Sequence, residues 1–110
     1  MNLLLDTHVA LWALIDNPRL SEKARGLILS PLATVWVSAA SVWEIAIKHS
    51  LGHGDMPTSG ADALSYFLEA GYRILPIEAE HAAAVETLPP HPQDPFDRLL
   101  VAQALVEPIR

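Results

Sequence analysis

Three short stretches, the wholly apolar 3–5, the β-branched and aromatic 34–37, and 72–75, alternate with helix-forming segments, and this alternation most restricts how the chain can fold. Residues 3–5 read as a buried strand, and 34–37 and 72–75 as a second and a third strand. Strands that alternate with helices predict an α/β domain with a mainly parallel sheet and right-handed crossovers.

Local signals place the intervening elements. Asp6 or Thr7 can cap a helix over 9–15, which Asn17-Pro18 breaks. Ser21 starts a helix over 22–29 with Glu22 in its first turn, and Ser30-Pro31 stops it. Ser38 is a natural N-cap for a helix from 39 to about 50, and 52–55 form a loop. An amphipathic helix is predicted over 61–70, with Gly71 as its stop, and Pro76 ends the third strand. An Ala-rich helix over 78–88 ends at Pro89-Pro90. After the loop 91–93, Asp94-Pro95 opens a last helix that runs to about 107. Residues 108–110 read as the start of a further strand.

The 110 residues make one domain, 1–110, without repeats, linkers or low-complexity segments. An apolar share of 51% excludes disorder and leaves room for an extra buried face such as a subunit contact. The absence of cysteine excludes thiol nucleophiles, disulfides and Cys-ligated zinc. The longest uninterrupted apolar run, 9–15, is far too short to span a bilayer, and no cleavable leader is visible, so a cytoplasmic protein is expected. A net charge of −6 argues against a broad basic patch for nucleic acid, although a bound cation among the acids would attract phosphate locally.

The chemistry-bearing feature is a set of acids beside apolar segments. Asp6 ends Leu3-Leu4-Leu5, Glu44 lies within Val42-Trp43-Glu44-Ile45-Ala46-Ile47, and Asp94 and Asp97 open Asp94-Pro95-Phe96-Asp97-Arg98-Leu99-Leu100. Gathering anions near apolar walls is unfavourable unless a cation neutralises them, and hard oxygen ligands suit Mg²⁺ or Mn²⁺. Each acid also has a plain structural role. Asp6 and Asp94 can cap helices, Asp97 can favour a helix N-terminus, and Glu44 can pair with Lys48 four residues on. The histidines lack zinc-type spacing, and no nucleophile elbow or phosphate-cradling glycine loop is present. Trp12, Trp36 and Trp43 sit in apolar segments and read as core.

Three stretches together carry a family likeness. Residues 3–8, Leu-Leu-Leu-Asp-Thr-His, residues 37–48 around Ser41-Val42-Trp43-Glu44-Ile45, and residues 91–104 around Asp94-Pro95-Phe96-Asp97-Arg98 resemble the PIN-domain family, specifically VapC-type toxins of toxin–antitoxin pairs. The resemblance covers nearly the whole chain in matching order. It implies a three-layer α/β/α fold and a Mg²⁺- or Mn²⁺-dependent endoribonuclease, usually a homodimer, held in check by a cognate antitoxin protein. Asp6, Glu44 and Asp97 match the family's core acids, and Asp94 matches an additional acid of this subgroup. All four are thereby implied as catalytic and metal-holding residues. Family members continue into a C-terminal strand and a further acidic segment, which this sequence does not reach. A shorter, less stable domain with a weakened metal site is the resulting expectation.

On this reading Ser38, Ser41 and Thr7 can contact a phosphate, and Lys48 and Arg98 are candidates for the RNA backbone. Two rivals are a non-catalytic PIN-like interaction module and a phosphoacceptor receiver domain. The second needs an Asp at the end of the third strand, where Leu75 is followed by Pro76-Ile77.

Overall fold

The computed structural model describes residues 1–52, 56–89 and 94–107. Three strands, β1 (Asn2–Leu5), β2 (Thr34–Ser38) and β3 (Arg73–Leu75), form a parallel sheet in the order β1-β2-β3. Leu5 is paired with Val37, and Val37 with Ile74. Helices α1 (Thr7–Leu14) and α2 (Glu22–Leu29) connect β1 to β2, and α3 (Ala39–Ser50) and α4 (Gly60–Glu69) connect β2 to β3. After β3 come α5 (Ala79–Ala84), a 3-10 turn (Val85–Thr87) and α6 (Pro95–Val106). The α/β architecture expected from the alternating runs is therefore present.

Alternation along the strands sorts the side chains. Leu5, Val35 and Val37 point into a core shared with Ala10, Ile28, Ile45, Ala63 and Phe67 from helices α1 to α4. The other face carries Asn2, Trp36 and Arg73 at the surface, where the Trp36 indole donates to Asn2 Oδ1 at 3.1 Å and lies under the Arg73 guanidinium. Toward the carboxyl ends of the strands this second face is covered: Ser38 and Leu75 are buried there, with Leu100 and Gln103 of α6. Helices thus pack on both faces, and among the described residues none is long and apolar enough to cross a membrane.

Most boundaries fall within a residue or two of the sequence reading, and the departures have local causes. Helix α1 starts at Thr7 instead of residue 9, because Asp6 takes the cap by accepting from Val9 N at 2.8 Å. Helix α4 begins at Gly60, with Ser59 as its cap. Gly60 is needed for a close approach: a Cβ there would come 2.7 Å from Ala46 Cβ, so α3 and α4 pack backbone to backbone at this point. Gly71 adopts φ +85° and stops α4 as expected. The helix predicted over 78–88 is shorter. Glu78 is its cap, and the chain tightens into the 3-10 turn before Leu88, which is extended as the residue before a proline must be. The strand read at 108–110 and the loops at 53–55 and 91–93 lie outside the described residues.

Candidate active site

Asp6 stands immediately after β1, at the carboxyl end of the sheet, where open α/β sheets place their ligands. Its Oδ1 is committed to capping α1, which leaves the second oxygen outward on an exposed residue. Glu44 projects from the middle of α3 and is only 4% exposed. A buried carboxylate needs partners, and both of its oxygens have them. Thr7 Oγ1 donates to Oε1 at 2.7 Å, with Ser41 Oγ 3.0 Å from the same hydroxyl, and Lys48 Nζ donates to Oε2 at 2.7 Å. The Thr7 contact ties Glu44 to the end of β1, 37 residues away in sequence.

Helix α6 brings the remaining pair. Asp94 caps it through a 2.8 Å bond from Phe96 N to Oδ1, Pro95 occupies the first turn, and Asp97 is the acid of that turn. The Asp97 carboxyl is held above the usual range, first by desolvation and then by the negative charges of Asp94, Glu44 and Asp6, with His8 opposing them. Asp97 therefore feels all three other acids. The four carboxylates named from the sequence share one electrostatic environment, although they come from three separate stretches of chain.

Among the described residues no three His, Cys, Asp or Glu groups converge into a closed cage for a metal ion. This arrangement is unlike a structural zinc site, which needs four protein ligands at bonding distance. It is compatible with Mg²⁺ or Mn²⁺, because Mg²⁺ keeps several waters and engages only one or two carboxylates directly. The acids have oxygens to offer: Asp6 and Asp94 each use Oδ1 for a cap, and Asp97 is exposed.

Several companions of the acids take roles other than those read from the sequence. Ser38 is wholly buried, caps α3 through Ala40 N and donates to Gln103 Oε1, so it does not face a phosphate. Thr7 and Ser41 are buried against Glu44. Arg98 donates to the carbonyls of Pro89 and Val85 at 2.9 and 3.2 Å, joining α6 to the segment before it. The expectation that all three tryptophans belong to the core holds for Trp12, which is half-buried and packs against it, and is corrected for the other two: Trp36 lies half-buried on the opposite face of the sheet and Trp43 is 55% exposed. The reason is that Trp43 lies on the α3 face turned to the start of α6, where Phe96 covers only part of it.

A polar network stands behind the acids. Gln103 of α6 accepts from Ser38, donates to Pro76 O at 3.2 Å and approaches His81 Nδ1 at 3.4 Å. His81 Nδ1 also accepts from Glu78 N at 2.9 Å, so its proton sits on Nε2, which donates to Glu107 Oε2 at 2.9 Å. Ser38, His81 and Gln103 are fully buried and connect the ends of β2 and β3 to the helix that carries Asp97. Nothing in their spacing announced this. His8 is the other residue missed, although it follows Asp6-Thr7 directly and lies close enough to influence Asp97.

A cleft of about 710 Å³ contains none of the four acids; Leu11, Ile15, His49, Asp62 and Tyr66 are among the residues that line it. At the end of β3, Leu75 is followed by Pro76, and no acid occupies the place a receiver domain requires.

Comparison with known proteins places this arrangement. The family model of the PIN domain matches residues 3–109. Among solved structures, VapBC2 from Rickettsia felis bound to a DNA fragment from their promoter contains a similar chain, with a TM-score of 0.66 and 18% identity. The match covers 99% of the present chain and 84% of that one. No curated protein matches the sequence significantly.

Proposed function

Because the chain belongs to the PIN-domain family, we propose that it is the toxin of a toxin–antitoxin pair, a cytoplasmic endoribonuclease that hydrolyses RNA phosphodiester bonds with Mg²⁺ or Mn²⁺. The observation that carries this reading is the setting of Asp97, whose carboxyl is raised first by desolvation and then by the charges of Asp94, Glu44 and Asp6. Anions gathered at this cost become favourable once a cation joins them.

Asp6 and Asp97, with Asp94 acting through water, would hold the cation, water supplying most of its shell. A bound divalent ion supplies Lewis acidity toward the phosphoryl oxygen and makes water acidic enough to attack at neutral pH. Glu44 is fixed from two sides by Thr7 and Lys48 and serves as a rigid negative wall that orients water toward the phosphate. Lys48 pairs with the buried Glu44 carboxylate at 2.7 Å.

The partner side of the proposal is an antitoxin protein and a second copy of the chain. The R. felis neighbour is a VapBC2 assembly, and the present surface leaves large apolar side chains in water, Leu29 at 73%, Leu32 at 80% and Leu105 at 68%. One observation favours a second reading, a PIN-like interaction module without catalysis: both Glu44 oxygens already have protein partners.

RNA cleavage separates the two. Purified protein should cut a structured RNA only when Mg²⁺ or Mn²⁺ is supplied, and Asp97→Ala should abolish the cut. In cells, expression should arrest growth until the antitoxin is co-expressed. A folded wild-type chain that cuts no RNA with either metal would sink the nuclease reading and leave the interaction module.

A further inference from the structure

Two of the acids have an aromatic residue directly before them in the sequence. Trp43 directly precedes Glu44 and Phe96 directly precedes Asp97, and their ring centroids lie 5.0 Å apart at an interplanar angle of 73°. The edge-to-face contact fixes the indole against the start of α6. Trp43 nevertheless remains 55% exposed, and the only other aromatic among the large exposed apolar residues described is Tyr66, which lines the separate cleft. The other two tryptophans are better covered: Trp12 packs near His8, and Trp36 is bonded to Asn2 under Arg73.

Charge tells what such a ring can add. The chain carries a net −6, and the cations nearest the acids in sequence are engaged by the protein itself, Lys48 by Glu44 and Arg98 by two carbonyls. A polyanion brought to four carboxylates gains little from these groups beyond what a metal ion provides. Base stacking needs no cation. It tolerates any base, and it requires a base that is free of a duplex.

We propose that Trp43, oriented by Phe96, is a stacking platform for one unpaired base of single-stranded RNA, which positions the adjacent phosphate at the acid cluster. The proposal rests on the nuclease reading and adds to it a substrate form and a positioning residue. It also explains how an acidic surface can hold RNA: metal for the phosphate, indole for the base.

The test uses the full chain carrying Asp97→Asn, which prevents cleavage, and measures binding of a short labelled single-stranded RNA with Mn²⁺ by fluorescence anisotropy. Adding Trp43→Ala should weaken binding by about 5- to 100-fold, whereas Trp43→Phe should retain most of it. An RNA with one abasic position at the stacked site should bind the parent weakly and lose nothing further with Trp43→Ala. Trp43→Ala with unchanged affinity would overturn the platform, and so would fully additive losses from Trp43→Ala and the abasic RNA. A shift from dimer to monomer in sedimentation, with affinity for RNA intact, would instead assign the indole to a contact between two copies and also overturn it. If the wild-type chain cleaves RNA while Trp43→Ala binds and cleaves equally well, the platform alone fails. If the wild-type chain neither binds nor cleaves RNA, the nuclease reading fails and the platform with it.

Discussion

Thr7 Oγ1 donates a 2.7 Å hydrogen bond to Glu44 Oε1, joining the first residue of α1 to the middle of α3 beneath the acid cluster. Glu44 is 4% exposed, so this hydroxyl and Lys48 replace the water that a free carboxylate would have. Thr7→Val keeps the shape and removes the donor. The variant should lose about 1–3 kcal/mol of stability in urea denaturation, the cost of leaving one oxygen of a buried carboxylate unsatisfied. Thr7→Ser should restore most of it. A Thr7→Val protein as stable as wild type would mean that water reaches Glu44 freely.

The raised Asp97 carboxyl gives a pH dependence with a definite sign. The folded chain holds this proton at pH values where the unfolded chain has already released it. Between the ordinary carboxylate range and the higher folded pKa, ionising Asp97 therefore costs stability, which falls as pH rises through that window and is fully lost above it. Asp97→Asn should stabilise the metal-free protein near neutrality and flatten the melting temperature across the window. A steeper dependence in the variant would show that the neighbouring acids do not act on Asp97 as described.

Divalent metal should act on the same repulsion. Millimolar Mn²⁺ or Mg²⁺ should raise the melting temperature, by the equivalent of about 2.7 kcal/mol at a hundredfold excess over Kd, and EDTA should reverse the shift. Asp6→Asn and Asp94→Asn should each reduce it. An unchanged melting curve at saturating Mn²⁺ would remove the cation from the proposed mechanism.

Gln103→Leu tests the network behind the acids. The substitution removes the partner of the buried Ser38 hydroxyl and the donor to the partly buried Pro76 O, and should cost about 2–4 kcal/mol. It should also lower metal affinity, because Gln103 belongs to the helix that carries Asp97. Equal Mn²⁺ shifts in Gln103→Leu and wild type would confine the network to stability.

Gly60→Ala probes the α3–α4 contact. The new methyl would stand 2.7 Å from Ala46 Cβ, and relieving that overlap should cost about 1–3 kcal/mol even though alanine is the better helix former. Ala46→Gly in the same chain should recover part of the loss. A more stable Gly60→Ala would mean that the two helices slide apart at little cost.

The sequence is most readable where the determining interaction is local. Helix α2 falls on 22–29 because its start at Ser21 and its stop at Ser30-Pro31 are written into neighbouring residues. The acids were legible for a related reason: each sits at the end of an element or against an apolar segment, where a charge is conspicuous. What was not legible depends on docking between distant elements. Trp43 looks like core in α3 until α6 covers only one side of it. Gln103 and His81, 22 residues apart, gain their meaning only when α6 packs on α5. Ser38 likewise reads as a phosphate contact until Gln103 claims its hydroxyl.

The order of the acids along the chain has a consequence during synthesis. Asp6 emerges from the ribosome with β1 and Glu44 with α3, but Asp94 and Asp97 belong to α6, the last described helix. The nascent chain must hold β1 until β2 arrives, since Leu3 pairs with Val35, and the four-carboxylate cluster cannot form before α6 has left the exit tunnel. Translation cut short before Asp94 therefore yields a fragment with at most two of the four acids and no aromatic pair.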